Sequence, residues 1–254
     1  MVVLILDFDS TITEESTLIQ LYLRLPEEIF KSAMSISNKD YYDKELPLTK
    51  ECYKRIKQIM YREENWEKCL EHITAIILEY SQEIEALEVK GMSLIEGPLK
   101  HLDVSSLERA ASQIKVRSGF ESLVKDFGGQ VYILSCNWST DLVKLVCPEI
   151  DRSKIISNNL RFKDGKCNGF ERKRIVLTPE HKFKEFQRIK KDKNIVCGDS
   201  LPDLLLLLNA DRGFAFVSHD KDFIEVCLLS KTKFLREIHI VDNFEEVRSI
   251  LGNR

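Results

Sequence analysis

Five apolar residues, Val2 to Leu6, run straight into Asp7-Phe8-Asp9 and then the hydroxyls of Ser10, Thr11 and Thr13. A run this short, ending in polar residues, reads as a buried strand. The texture then changes. From Thr13 to about Gln113, the segments TLIQLYLRL, EEIFKSAM, KECYKRIKQIMYREE and NWEKCLEHITAIILEYSQEIEALE place apolar residues at three-and-four spacing with charges between them. That is the period of helices with one buried face. From Ile114 onward, β-rich runs (QVYILS, KIISNNLRF, NIVCGD, RGFAFV, REIHIV) alternate with helical ones (TDLVKLV, HKFKEFQRIKK, PDLLLLLNA, DNFEEVRSIL). This alternation builds a parallel sheet with flanking helices, an α/β fold. The opening strand has no place among helices alone and is expected to join that sheet. The expected organisation is therefore a core of residues 1–12 and 114–254 interrupted by a helical cap, 13–113. Asn158 to Arg174, charged and rich in Asn and Gly, reads as a small hairpin.

Composition narrows the chemistry. At 254 residues and 43% hydrophobic, the chain can bury a full α/β core and a second unit. A net charge of −3, with no basic run interleaved with aromatics, excludes a general nucleic-acid binder. Seven scattered cysteines without a C-x-x-C fit reduced thiols in a cytoplasmic protein better than a disulfide framework. The first apolar run is too short for a secretory signal, and no stretch nears the roughly 20 apolar residues that span a bilayer. The sequence leaves the oligomeric state open.

Three strands end in polar residues suited to one site: β-run VLIL at Asp7 and Asp9, VYIL at Ser135-Cys136-Asn137, and NIVCG at Asp199-Ser200, with Asp203 a turn later. In open parallel sheets the ligand sits outside the carboxyl ends of the strands. With Lys182 from PEHKFKEF, the set holds four carboxylates, a hydroxyl and an ammonium. Acids this close raise one another's pKa unless a cation joins them, and an all-oxygen donor set suits Mg²⁺. The hydroxyl, backbone N–H groups and lysine then suit a phosphoryl group, whose transfer depends on positioning and electrostatics. One of the paired acids can attack phosphorus while the other carries the proton.

The order of these segments resembles the haloacid-dehalogenase-like phosphatases: D-F-D-S-T-I-T the first motif, I-L-S-C-N the second, Lys182 the third and G-D-S-L-P-D the fourth. The resemblance implies a Rossmann-like core with an inserted all-helical cap, and a Mg²⁺-dependent phosphomonoesterase working through an aspartyl-phosphate. It implies Asp7 as nucleophile and metal ligand, and Asp9 as general acid and base with its carbonyl on the metal. Ser135, the Cys136 N–H and Lys182 would hold the phosphoryl group, and Asp199 and Asp203 would serve the metal. Its substrate would be a small phosphorylated metabolite entering beneath the cap. The preference for Lys182 over Lys184 rests on this resemblance, since both lie in a lysine-rich helix.

Within the family, phosphoserine phosphatases carry a glutamate nine residues after the nucleophile where this chain has Ser16, and favour glycines where it has Cys136-Asn137-Trp138. The segments D-F-D-x-T-x-T, serine-to-tryptophan into D-L-V, and G-D-S-x-x-D-L-L-x-L-L-x-A-D are more similar to the phosphatase domain of plant bifunctional thiamine-monophosphate phosphatases. Thiamine monophosphate is thus the expected substrate, with phosphoserine or another small metabolite as the alternative. The acid excess of the helical stretch suits a substrate with a cationic or aromatic end, for which Tyr22, Tyr41, Tyr42, Tyr53, Tyr61, Trp66 and Tyr80 are candidate partners. Two other classes use the same residues: a phosphoacceptor signalling domain and a non-catalytic binding protein. More plainly, T-I-T-E fits a helix capping box, which would make Asp7, Asp9 and Thr11 a mere helix start.

Overall fold

The structure, a computed structural model, describes residues 1–172 and 176–252, without the side chains at 36, 37 and 39–42. Strand β1 (Val2–Leu6) is followed by five helices: α1 (Leu18–Tyr22), α2 (Glu27–Asp40), α3 (Leu46–Arg62), α4 (Trp66–Leu99) and α5 (Val104–Ala111). A π-helical turn, Tyr41–Glu45, joins α2 to α3. Next come α6 (Phe120–Asp126), β2 (Gln130–Leu134), α7 (Thr140–Val146), β3 (Ile155–Ile156), β4 (Leu160–Lys163) and β5 (Lys166–Phe170). The chain closes with α8 (Pro179–Ile189), β6 (Lys193–Gly198), α9 (Leu201–Asn209), β7 (Arg212–Phe216), α10 (Lys221–Phe234), β8 (Ile238–Val241) and α11 (Phe244–Gly252).

Six strands form one parallel sheet in the order β3-β2-β1-β6-β7-β8. Sequential numbering runs outward in both directions from β1, so the crevice beyond its carboxyl end is the topological switch point where such sheets bind ligands. β1 is buried on both faces, as its unbroken apolar run demands. Strands β4 and β5 pair antiparallel as a separate hairpin within the stretch expected to hold one; the part of that stretch at 173–175 lies outside the described residues.

The helical insertion leaves and re-enters the core at one place, where Thr13 bridges Val116 and the Glu14 N–H donates to the Lys115 carbonyl (3.0 Å). Its packing explains its position. Ile56, Met60, Ile73 and Ile77 of α3 and α4 share one apolar cluster with Leu201, Leu204, Phe223 and Val226 of α9 and α10. At roughly 1.5–3 kcal/mol for each fully buried large aliphatic side chain, this shared core fixes the insertion on the sheet. Polar contacts add register: the Tyr53 hydroxyl donates to Asp220 (2.6 Å), and Lys57 donates to Asp222 (2.8 Å) and Glu225 (2.9 Å). The insertion therefore roofs the switch point. No described helix is long and apolar enough to cross a membrane.

Candidate active site

The roof and the strand ends enclose a cavity of about 390 Å³ lined by Asp7, Asp9, Ser135, Cys136, Lys182 and Asp199, among others. Asp7 extends β1, and its N–H donates to the Cys197 carbonyl of β6 (3.0 Å). Past Asp9 the chain must turn sharply, and Ser10 takes the left-handed conformation (φ 59°). That strained backbone is held from two sides. The Ser10 N–H donates to the Thr13 hydroxyl (3.1 Å), and the Arg117 guanidinium donates to the Ser10 carbonyl (2.9 Å). The capping-box expectation is not met, because no helix begins before Leu18. Thr11 instead donates its hydroxyl to the Asp199 carboxylate (3.0 Å).

The two acids of the first strand end have separate surroundings. Asp7, Asp199 and Asp203 each bring a carboxylate oxygen to within 4.8 Å of the others. Lys182 Nζ donates to Asp7 Oδ1 and Asp203 Oδ1, each at 2.6 Å, and its side chain is only 2% exposed. Burial works against the ammonium's charge, but Asp203 and Asp7 hold its pKa well above the ordinary lysine range. Burial and the charges of Asp7 and Asp203 raise Asp199 well above the ordinary carboxylate range. Asp203 is pushed up to about 6, by burial first, against the pull of Lys182. Lys184, two residues on, is exposed and pairs with Glu180.

Asp9 turns away from that cluster. Its carboxylate accepts from the Thr17 N–H (2.6 Å), the Thr17 hydroxyl (2.7 Å) and Asn137 Nδ2 (2.8 Å). Burial raises its pKa, partly offset by these bonds, and the Asp7 charge raises it further. Ser135 and Cys136 follow β2, where the Asn137 N–H donates to the Ser135 hydroxyl (3.2 Å) and Asn158 Nδ2 donates to the Cys136 carbonyl (3.0 Å). The Cys136 thiol is pushed up to about 12 by burial, so it is no thiolate nucleophile.

All seven sequence-derived candidates thus meet in one cavity or border it. Several supporting residues were not given a role from the sequence: Thr17 and Asn137 on Asp9 and Thr11 on Asp199, though Asn137 and Thr11 were named at the strand ends, Asn158 on the β2 loop, and Gly198. A Cβ at Gly198 would sit 2.4 Å from the Asp203 Cβ, so only glycine lets α9 bring that acid against β6. Spacing gave a signal for Thr11 and Gly198, which fall inside the quoted motifs; Thr17 and Asn158 lie outside them. None of the described aromatic candidates of the insertion lines this cavity. Tyr22 and Tyr53 are buried, Trp66 packs on Phe234 and under Arg236, Tyr80 bonds Thr49, and Tyr61 is exposed. The side chains of Tyr41 and Tyr42 lie outside the described residues. The aromatic wall is Trp138, after β2, edge-on to Tyr22 and Phe170. His181 bonds the Leu177 N–H and faces Glu85, away from the cavity lining.

Residue chemistry permits a cation here. Three buried carboxylates face one ammonium, and all the donors are oxygen, the balance that a hard divalent ion restores.

A parallel sheet reversing at β1, a helical insertion directly after that strand, and acids at the β1 and β6 ends define the fold of the haloacid-dehalogenase-like hydrolases, and the chain has that fold. It superposes on a HAD family hydrolase of Salmonella enterica serovar Typhi with a TM-score of 0.61, at 14% identity, covering 100% of this chain and 72% of that one. It superposes on a phosphoserine phosphatase, solved as a phospho-aspartyl intermediate analogue, with a TM-score of 0.56 at 18% identity, covering 98% and 97%. In sequence it is 26% identical over 185 residues to the mitochondrial bifunctional TH2 protein of Arabidopsis thaliana, 61% of this chain and 30% of that protein. The match therefore spans under a third of the plant protein's length. No protein-family model matches the chain.

Proposed function

We propose that the chain is a Mg²⁺-dependent phosphomonoester hydrolase that works through an aspartyl-phosphate on Asp7, with thiamine monophosphate as its substrate. The observation that carries the reaction class is Lys182, fully buried and bridging Asp7 to Asp203 beside Asp199. A lysine is buried at this cost only where anionic groups surround it, and here they surround the one acid that ends the central strand.

In this reading the phosphate enters between Asp7 and the β2 loop, with Ser135 and the Cys136 N–H donating to its oxygens. An Asp7 carboxylate oxygen attacks phosphorus, the bond from phosphorus to the ester oxygen breaks, and Asp9 gives that oxygen its proton. Asp9 then takes a proton from the water that cleaves the acyl-phosphate, which restores both acids. Burial moves its pKa upward, the direction that proton donation needs. Mg²⁺, held by Asp7, Asp199 and Asp203 and by the Asp9 carbonyl, would neutralise charge on the phosphoryl oxygens.

The substrate is supported by the likeness of the motif segments to plant thiamine-monophosphate phosphatases, by the match to a plant bifunctional protein, and by a cavity that sets acids beside an apolar wall of Leu18, Leu21 and Trp138. The test is phosphate release from thiamine monophosphate, phosphoserine, pyridoxal phosphate and a hexose phosphate, with Mg²⁺ and with excess chelator. Turnover that chelator abolishes and Mg²⁺ restores is expected, with kcat/KM for thiamine monophosphate at least about tenfold above the others, about 1.4 kcal/mol. A smaller preference refutes the substrate and leaves the reaction class; full activity in chelator refutes the metal.

A further inference from the structure

Among the described residues the roof contributes one ionisable side chain to the cavity lining, Glu45, the last residue of the π-helical turn between α2 and α3. Such turns are rare and cost hydrogen-bond geometry, and they recur where a helix must aim a side chain into a site. A second acid, Glu88 on α4, lies close enough to Glu45 for the two charges to repel. Both are partly buried, and among the described residues neither carboxylate has a side-chain partner. Burial raises Glu45; burial, then the charge of Glu45, pushes Glu88 up to about 8. An unpaired acid in the cavity lining with a second acid behind it is a standing cost to the fold, and such a cost calls for an explanation in function.

The rest of the cavity supplies one. Among its described lining residues the only cation is Lys182, already committed to Asp7 and Asp203. An anionic phosphoryl group beside Lys182 gives Glu45 no relief. A substrate whose other end is positive would offset the roof acids and the phosphate end at once, and the ring of Trp138 offers a face or edge along the way.

We infer that Glu45, with Glu88 beside it, binds the cationic end of the substrate, so that this cavity selects phosphomonoesters carrying a positively charged nitrogen. The inference rests on the reading of the cavity as a phosphatase site and adds the residues that set specificity. They belong to the roof and not to the strand ends that carry the reacting atoms, so their effect is on which ester is held and not on how its bond breaks.

The experiment compares two cationic esters, thiamine monophosphate and phosphocholine, with two whose only charge is the phosphate, p-nitrophenyl phosphate and glycerol phosphate. The readout is the ratio of kcat/KM, cationic over neutral, in the native protein and in Glu45→Gln, Glu88→Gln and the double variant. The native ratio is expected to exceed about ten and to fall about tenfold or more in Glu45→Gln. Thermal unfolding of the double variant should come at the same or a higher temperature, because two unpaired acids have gone. Thiamine and choline should also compete with p-nitrophenyl phosphate in the native protein, a measurement that needs no variant. An unchanged ratio in a folded Glu45→Gln, or no competition by either cation, overturns the inference. Hydrolysis of the neutral esters without cationic preference overturns it while leaving the phosphatase reading intact. Hydrolysis of none of the four overturns that reading, and this inference falls with it.

Discussion

Replacing Lys182 by methionine keeps an unbranched, flexible side chain of nearly the same length and removes its charge and its hydrogen-bond donors. Lys182 is 2% exposed and sits 2.6 Å from both Asp7 and Asp203. Without it, three buried carboxylates share a space in which each has an oxygen within 4.8 Å of the others. Breaking a buried pair costs about 3–5 kcal/mol, because the remaining charge has no solvent and no partner. The upper end is softened here, since Asp203, already near 6 beside the lysine, will take up a proton once the lysine is gone. A loss of about 3 kcal/mol is expected, a shift in urea midpoint of roughly 1 M at an m-value of about 3 kcal/mol/M. Phosphatase activity should fall by orders of magnitude, since the phosphoryl charge loses the one ammonium among the described lining residues. Lys184→Ala is the control: its pair with Glu180 is exposed, is worth at most about 0.5 kcal/mol, and its loss should leave both midpoint and rate close to native. Urea titrations in chelator and initial rates in Mg²⁺ measure the two quantities. Equal losses in the two variants, or a Lys182→Met protein of native stability, would refute the argument from burial.

Asp7→Asn should abolish turnover, because an amide cannot form the acyl-phosphate, and the check is the absence of both steady-state product and a labelled protein intermediate. Asp9→Asn should still label, slowly, with leaving groups of low pKa that need no proton, so p-nitrophenyl phosphate should lose less rate than an alkyl phosphate. Asp199→Ala should raise the Mg²⁺ concentration needed for half-maximal rate, and an unchanged requirement would move the metal elsewhere. Glu88 makes stability depend on pH. Its folded pKa is raised from 4.5 to about 8, so the folded state binds the proton more tightly. Its contribution is present below about 4.5 and is lost as pH rises toward 8. After discounting for its partial exposure, native stability should drop by about 1–2 kcal/mol across that window, and Glu88→Gln should flatten the drop by that amount in melts from pH 5 to 8.

The sequence showed the sheet because β1, β6 and β7 are buried along nearly their whole length and β2 at three of its five positions, and such burial leaves short, mostly apolar runs to read. It showed the strand-end acids for a related reason: a carboxylate placed directly after a buried run has no structural use, so Asp7 and Asp199 stand out against their neighbours. Helices α6 and α10 were not legible. α10 alternates Lys221, Asp222, Glu225 and Lys231 with its apolar face and lies between turn-like residues, so its periodicity is diluted, and the interactions that hold it, with Tyr53 and Lys57, come from far along the chain. The same limit applies to the roof. Glu83, Glu85 and Glu88 follow one another along α4 as they would on any solvated helix, yet Glu83 and Glu85 are exposed and Glu88 is not. What separates them is the π-helical turn ending at Glu45, which the pattern gives no means to foresee because its period departs from 3.6 over only five residues. The chemistry of the phosphate end is written locally, in strand ends a few residues long. In the reading proposed above, the choice of what else the substrate carries falls to two acids 43 positions apart, brought together by the packing of the insertion's helices α3 and α4 on one another, which the Thr49–Tyr80 hydrogen bond also joins.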